Sequence, residues 1–140
     1  MVVDHIAIAV RSVEAAADRL GSLTGYVRRT PVVTNTRQKV NVLFLSKVGS
    51  IDIKLIEPSG DDSPLLGFLK RGEGLHHVAF KVPDVTAACD TLSAAGARLL
   101  APPQPGEAFD DHLIAFCYLG QGLNVELIDT DARRGDREVP

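Results

Sequence analysis

Residues 2–10 alternate with a period of two: Ile6, Ile8 and Val10 fall on one face, and His5, Ala7 and Ala9 on the other. That period belongs to a strand. Ser12 then offers a side-chain oxygen to cap a helix over the Ala-rich stretch 13–20. After Gly25, apolar runs at about 26–33, 39–48 and 51–57 are separated by Thr34-Asn35-Thr36 and by Gly49-Ser50, residues that favour turns. The pattern predicts strand, helix and three strands.

The same order then returns. A strand over 75–82 leads to Asp84, a second capping residue, and to a helix over 85–95 closed by Gly96. Short strands follow near 97–101, 112–119 and 123–129. One offset of 72 residues carries His5 onto His77, Ser12 onto Asp84 and Lys54 onto Glu126. A repeat of that length is too long for a solenoid and fits two modules related by a pseudo-twofold axis. The expected fold is α+β, a single domain over 1–130 built from two βαβββ modules, 2–57 and 75–129. In the linker 58–74, Asp61-Asp62-Ser63-Pro64 precedes Leu65–Leu69 and predicts a short helix with Pro in its first turn. The charged segment 131–140 is expected to fray.

Period-two geometry also decides which polar groups can meet. Lys54 shares a face with Asp52 and Ile56, and Glu126 shares one with Asn124 and Ile128. If each module curls into half a barrel, His5, His77, Lys54 and Glu126 converge on one cavity. A register slip of one residue would instead bring Ile53 and Leu55 inside. His76 is expected at the rim, and Asp110-Asp111 in a solvated turn.

Composition narrows the function classes. With 45% hydrophobic residues and a mean hydropathy of +0.08, the 140-residue chain can build a core without metal or disulfides. Its net charge of −3 is spread along the sequence, which argues against nucleic acid. No apolar run reaches the roughly 18–20 residues that span a bilayer, and a cytoplasmic protein is expected. Cys89 and Cys117 lie inside apolar runs and read as buried thiols. Dinucleotide, phosphate-loop and serine-elbow motifs are missing.

Four stretches carry a family likeness: Asp4-His5-Ile6-Ala7-Ile8-Ala9-Val10; Ile56-Glu57-Pro58 through Asp62-Ser63-Pro64 to Phe68-Leu69; Gly72-Glu73-Gly74-Leu75-His76-His77; and Val125-Glu126-Leu127. Through them residues 2–129 resemble the vicinal-oxygen-chelate (glyoxalase/bleomycin-resistance-like) superfamily, and within it the methylmalonyl-CoA epimerases. The resemblance implies metal-ligand positions at His5, His77 and Glu126. Lys54 stands at the fourth, where the family has Glu or Gln, and a protonated ammonium has no lone pair for a metal. Asn41 lies near the place of a glutamate base found in some epimerases. Asn41 and His112, at the start of its strand, are the candidate substrate contacts.

The implied activity is an isomerase that moves a proton through an enolate. It would act on a carbonyl-containing small molecule, an acyl-CoA among the candidates, with Glu126 or Lys54 as base. A divalent ion (zinc, cobalt, manganese or iron) would be held by two histidines and a carboxylate, and the likeness suggests a homodimer. Two other readings stand beside it. In one, a metal-free isomerase, cyclase or lyase uses the Lys54 ammonium in place of the ion; in the other, an antibiotic-type binding protein uses the cavity for affinity alone.

Overall fold

The structure, a computed structural model, describes residues 1–137. Its first half contains β1 (Val2–Ala9), α1 (Val13–Thr24), β2 (Val27–Arg28), β3 (Val33–Asn35), β4 (Val40–Ser46) and β5 (Asp52–Pro58). After α2 (Leu65–Leu69), the second half contains β6 (Gly74–Lys81), α3 (Val85–Ala94), β7 (Arg98–Gly106), a 3-10 turn at Glu107–Phe109, β8 (His112–Tyr118) and β9 (Asn124–Ile128). Both predicted caps form: the Ala15 N–H donates to Ser12 Oγ at 3.1 Å, and the Ala87 N–H donates to Asp84 Oδ1 at 2.8 Å. Helix α1 outruns its expected end because nothing stops it before Gly25, which takes the left-handed conformation at φ +76°.

All strands join one sheet in the order β2-β4-β5-β1-β6-β9-β8-β7, with β3 also on β4. The halves meet at an antiparallel seam between β1 and β6, while β1–β5 and β6–β9 are parallel. Pairings repeat across the seam. Ala7 faces Lys54 as Ala79 faces Glu126, and His5 faces Ala79 as Ala7 faces His77.

Three apolar clusters fix the register. Ile53, Leu55, Leu43 and Leu45 pack under α1 with Val13 and Ala17. Val125, Leu127, Ala115 and Cys117 pack under α3 with Val85 and Cys89. The alternate positions, Ala9, Val42, Phe44, Ile56, Ile114 and Ile128, line the concave face with Phe109. Each large side chain so buried contributes roughly 1.5–3 kcal/mol. A one-residue slip of β5 would place Lys54 beneath α1, so the slipped register does not occur. Both cysteines are buried and free.

Three expectations change. The run 26–33 keeps only β2 and the first residue of β3, which continues into Thr34-Asn35 where a turn was expected, because Pro31 has no N–H for the ladder; the Phe44 N–H donates instead to Thr30 Oγ1 at 3.1 Å. The strand expected at 97–101 runs on to Gly106 through Pro102, Pro103 and Pro105, which β7 tolerates as an edge strand with shifted register. Residues 131–137, expected to fray, are tied down. The Arg134 N–H donates to the Ala108 carbonyl and the Arg137 N–H to that of Arg29, both at 2.9 Å, and Arg133 is buried. Its guanidinium lies over Phe44 and Phe109, 4.5 and 4.9 Å from the ring centres, a favourable seat for a desolvated cation. Residues 138–140 lie outside the described residues. Among the described residues, no helix is long and apolar enough to cross a membrane.

Candidate active site

His5, Lys54, His77 and Glu126 meet on the concave face beside the seam, all 3% exposed or less. Lys54 Nζ donates to both carboxylate oxygens of Glu126, at 3.1 Å to Oε1 and 2.9 Å to Oε2. His5 Nε2 lies 2.9 Å from Glu126 Oε1. His77 Nε2 stands 3.5 Å from the same oxygen, beyond ordinary hydrogen-bond range, and is left without a partner. Burial alone would raise the Glu126 carboxyl. The charge of Lys54 and the bond from His5 outweigh that and hold it well below the usual carboxylate range. Burial pushes His77 down to about 3, so its ring is neutral.

Two β-bulges complete the cluster, and both were missed in the sequence. The β1–β6 register shifts between Val3 and His5 and again between Ala7 and Ile8, leaving Asp4 and His76 as unpaired extra residues. A bulge re-aims its side chain. Asp4 Oδ2 lies 2.7 Å from His5 Nδ1, and His76 Nδ1 lies 2.8 Å from His77 Nδ1. His76, expected at the rim and pointing away, therefore turns in and touches His77. Asp4 is gripped in turn by the buried Arg133. Although burial opposes it, bonding from His5 and the Arg133 charge lower the Asp4 carboxyl. His5 thus bridges two carboxylates, Asp4 at Nδ1 and Glu126 at Nε2. The signal available was the offset itself: Asp4 and His76 are 72 apart, each preceding a site histidine.

A cavity of about 420 Å³ opens above this cluster. Lys54, His76, His77 and Asn124 supply polar lining, and Val40, Ile56, Leu65, Leu100 and Phe116 supply apolar walls. Gln38 also lines it, with both amide atoms buried and without partners. Two predicted contacts lie elsewhere. Asn41 alternates away from Val40, accepts from Thr34 Oγ1 at 2.7 Å and donates to Glu57 Oε1 at 3.1 Å. His112 is exposed where β8 begins, opposite Gly106.

The ligand atoms of His5, His77 and Glu126 lie within 4.8 Å of one another, and the orphan nitrogen of His77 would suit an ion. Lys54 does not. Its ammonium occupies both oxygens of Glu126. A dication held there would meet it at a repulsion of roughly 8 kcal/mol for ~4 Å separation and an effective dielectric of ~20. Moving Lys54 aside would strand a buried charge, at a cost of about 3–5 kcal/mol. The three donors fit a divalent ion; the four residues together do not.

The sequence and the fold have known counterparts. Residues 4–116 match the glyoxalase/bleomycin resistance protein/dioxygenase superfamily. The chain belongs to that superfamily. Among superfamily members, the ethylmalonyl-CoA/methylmalonyl-CoA epimerase of Cereibacter sphaeroides is 37% identical over 108 residues, covering 73% of this chain and 76% of its own length. The solved structure of methylmalonyl-CoA epimerase from Mycobacterium tuberculosis superposes with a TM-score of 0.81 at 29% identity, over 91% of this chain and 86% of that one. A methylmalonyl-CoA epimerase solved with methylmalonyl-CoA and NH4+ gives 0.80 at 28% identity, over 97% of both chains. The superfamily fold accounts for the α+β architecture and its two βαβββ modules.

Proposed function

We propose that this protein is an epimerase-like isomerase of acyl-CoA thioesters that moves a proton at the carbon next to the thioester carbonyl. The observation that carries this reading is the cavity floor. A buried cation, Lys54, shares a cavity of mixed polar and apolar lining with polar atoms that have no protein partner, His77 Nε2 and the Gln38 amide. Unpartnered buried polar atoms call for a ligand that satisfies them, and a cation there favours an oxygen that gains negative charge. The names of the relatives supply the substrate class. One of them was solved in complex with methylmalonyl-CoA and NH4+, and Lys54 carries the same kind of nitrogen cation on a side chain.

The proposed step balances simply. A base takes the proton from the carbon and later passes it to solvent. The C–H electron pair becomes the enolate C=C bond as the carbonyl π pair moves onto the thioester oxygen facing Lys54, and a water molecule admitted to the cavity returns a proton to the opposite face, re-forming the carbonyl. Glu126, wholly buried and kept ionised, holds Lys54 in position. His76 is the accessible base. Burial, aided by the charge of Lys54, lowers its pKa and keeps it neutral. If its Nδ1–H donates to His77, Nε2 is left with a free lone pair.

The test is deuterium exchange of methylmalonyl-CoA in heavy water, followed by proton NMR. Exchange at the carbon between the carbonyls is expected, with a loss of roughly 100-fold or more in Lys54→Met, the usual scale for removing an oxyanion-stabilising group. Tight binding of acyl-CoA esters without exchange would make this a binding protein. Neither exchange nor binding would overturn the reading.

A further inference from the structure

We infer that Lys54 is a built-in replacement for the divalent ion that the His5, His77 and Glu126 donors would otherwise hold, so that this member of the superfamily works without metal and grips one substrate oxygen rather than chelating two. The inference deepens the proposed function but stands on geometry independent of it.

Three observations converge. Lys54 and Glu126 occupy equivalent positions of the two modules, each opposite an alanine on a seam strand, Ala7 and Ala79. Side chains so placed reach each other across the pseudo-twofold axis, as the 2.9 Å contact shows. Two acceptor residues in those positions would need a cation between them; a lysine facing a glutamate carries its own. The second observation is completeness. The ammonium is 2% exposed, engages both oxygens of Glu126 and lies 5.1 Å from the centre of the Phe109 ring. No second anion competes for it among the described residues. The third is the donor count. An ammonium has three N–H groups, and two are used on Glu126. One remains without a protein acceptor among the described residues, while Lys54 lines the cavity.

A divalent ion with open coordination positions can take two neighbouring oxygens of a substrate at once. A single free N–H takes one. The ligands favoured here therefore present one carbonyl or carboxylate oxygen to the cavity floor and reach the unpartnered Gln38 amide with another polar group.

The test titrates chelator-treated protein with Co²⁺ and with Zn²⁺. It reads elemental content after gel filtration and, for cobalt, the visible absorption of the bound ion. The intact protein is expected to retain no stoichiometric metal. Lys54→Glu, which turns the cation into a fourth donor, is expected to bind one ion per chain and to lose it when His77→Ala is added. Circular dichroism checks that each variant is folded. If Lys54→Glu does not fold without metal, Lys54→Gln, with a neutral amide oxygen, carries the same comparison. One tightly held ion in the intact protein would overturn the inference, because Lys54 would then coexist with a metal. So would failure of both variants to bind, because Lys54 would then not be what excludes the ion. Neither readout involves turnover, so failure here is distinguishable from failure to exchange the methylmalonyl-CoA proton.

Discussion

The two halves of this molecule share a backbone plan and differ where it counts chemically. At equivalent positions Ser12 and Asp84 both cap helices, Ala7 and Ala79 both leave room beside the seam, and His5 and His77 both point inward. The bulge residues then part company. Asp4 ties its histidine to Arg133 in the interior, whereas His76 faces the cavity. Lys54 and Glu126 take opposite charges. Symmetry in the fold thus delivers four side chains to one point, and asymmetry in side-chain type divides them. Asp4 and His5 of the first half, anchored by Arg133 from the segment after β9, form an interior face, whereas His76 and His77 of the second half, together with Lys54 of the first, line the cavity. A duplicated scaffold supplies position, and divergence at a few equivalent sites supplies polarity.

The largest expected effect comes from breaking the opposite charges. Lys54→Met or Glu126→Gln leaves a buried partner uncompensated and should cost about 3–5 kcal/mol in urea unfolding. The exchange Lys54→Glu with Glu126→Lys should be less destabilised than either single change, because the two sites are equivalent. A double-mutant coupling near zero would break the comparison. Arg133→Met tests the interior face: losing the charged partner of Asp4 should cost about 1–3 kcal/mol and free residues 131–137 to limited proteolysis.

Acidification should act through the same cluster. His77 titrates near 3 when folded and 6.5 ordinarily, so the unfolded chain binds the proton first and stability falls as pH drops from about 6.5 toward 3. Glu126 adds to this below its ordinary 4.5. Melting temperature followed across that range checks the sign. The smallest effects should be the caps: Ser12→Ala and Asp84→Ala should each cost about 1 kcal/mol. Similar losses would sharpen the view that the halves are alike outside the site.

Much of this was legible in the sequence. The 72-residue offset and the period of two placed His5, His77, Lys54 and Glu126 on one face, because side-chain direction in a strand follows from position alone. What escaped reading has physical reasons. A bulge interrupts the period, so His76 was expected at the rim and Asp4 was given no part in the site they support. Asn41 was placed by likeness, but strand alternation turns it outward and gives Val40 to the cavity. Arg133 looked like part of a solvated tail because its partners, Asp4, Phe44 and Phe109, are remote in sequence and no periodic pattern announces them.

The order in which the chain emerges during synthesis gives the seam a further consequence. β1 can pair with β5 as soon as residue 58 is available, but β1 has no second neighbour until β6 follows. Lys54 then waits for Glu126, and Asp4 waits for Arg133, near the end of the described chain. Through most of synthesis the first half holds an ammonium and a carboxylate that have no reason to leave water. The apolar cluster under α1 is drawn from the first half alone, but the concave face and its charged cluster are complete only once the last strand and the segment after it are present.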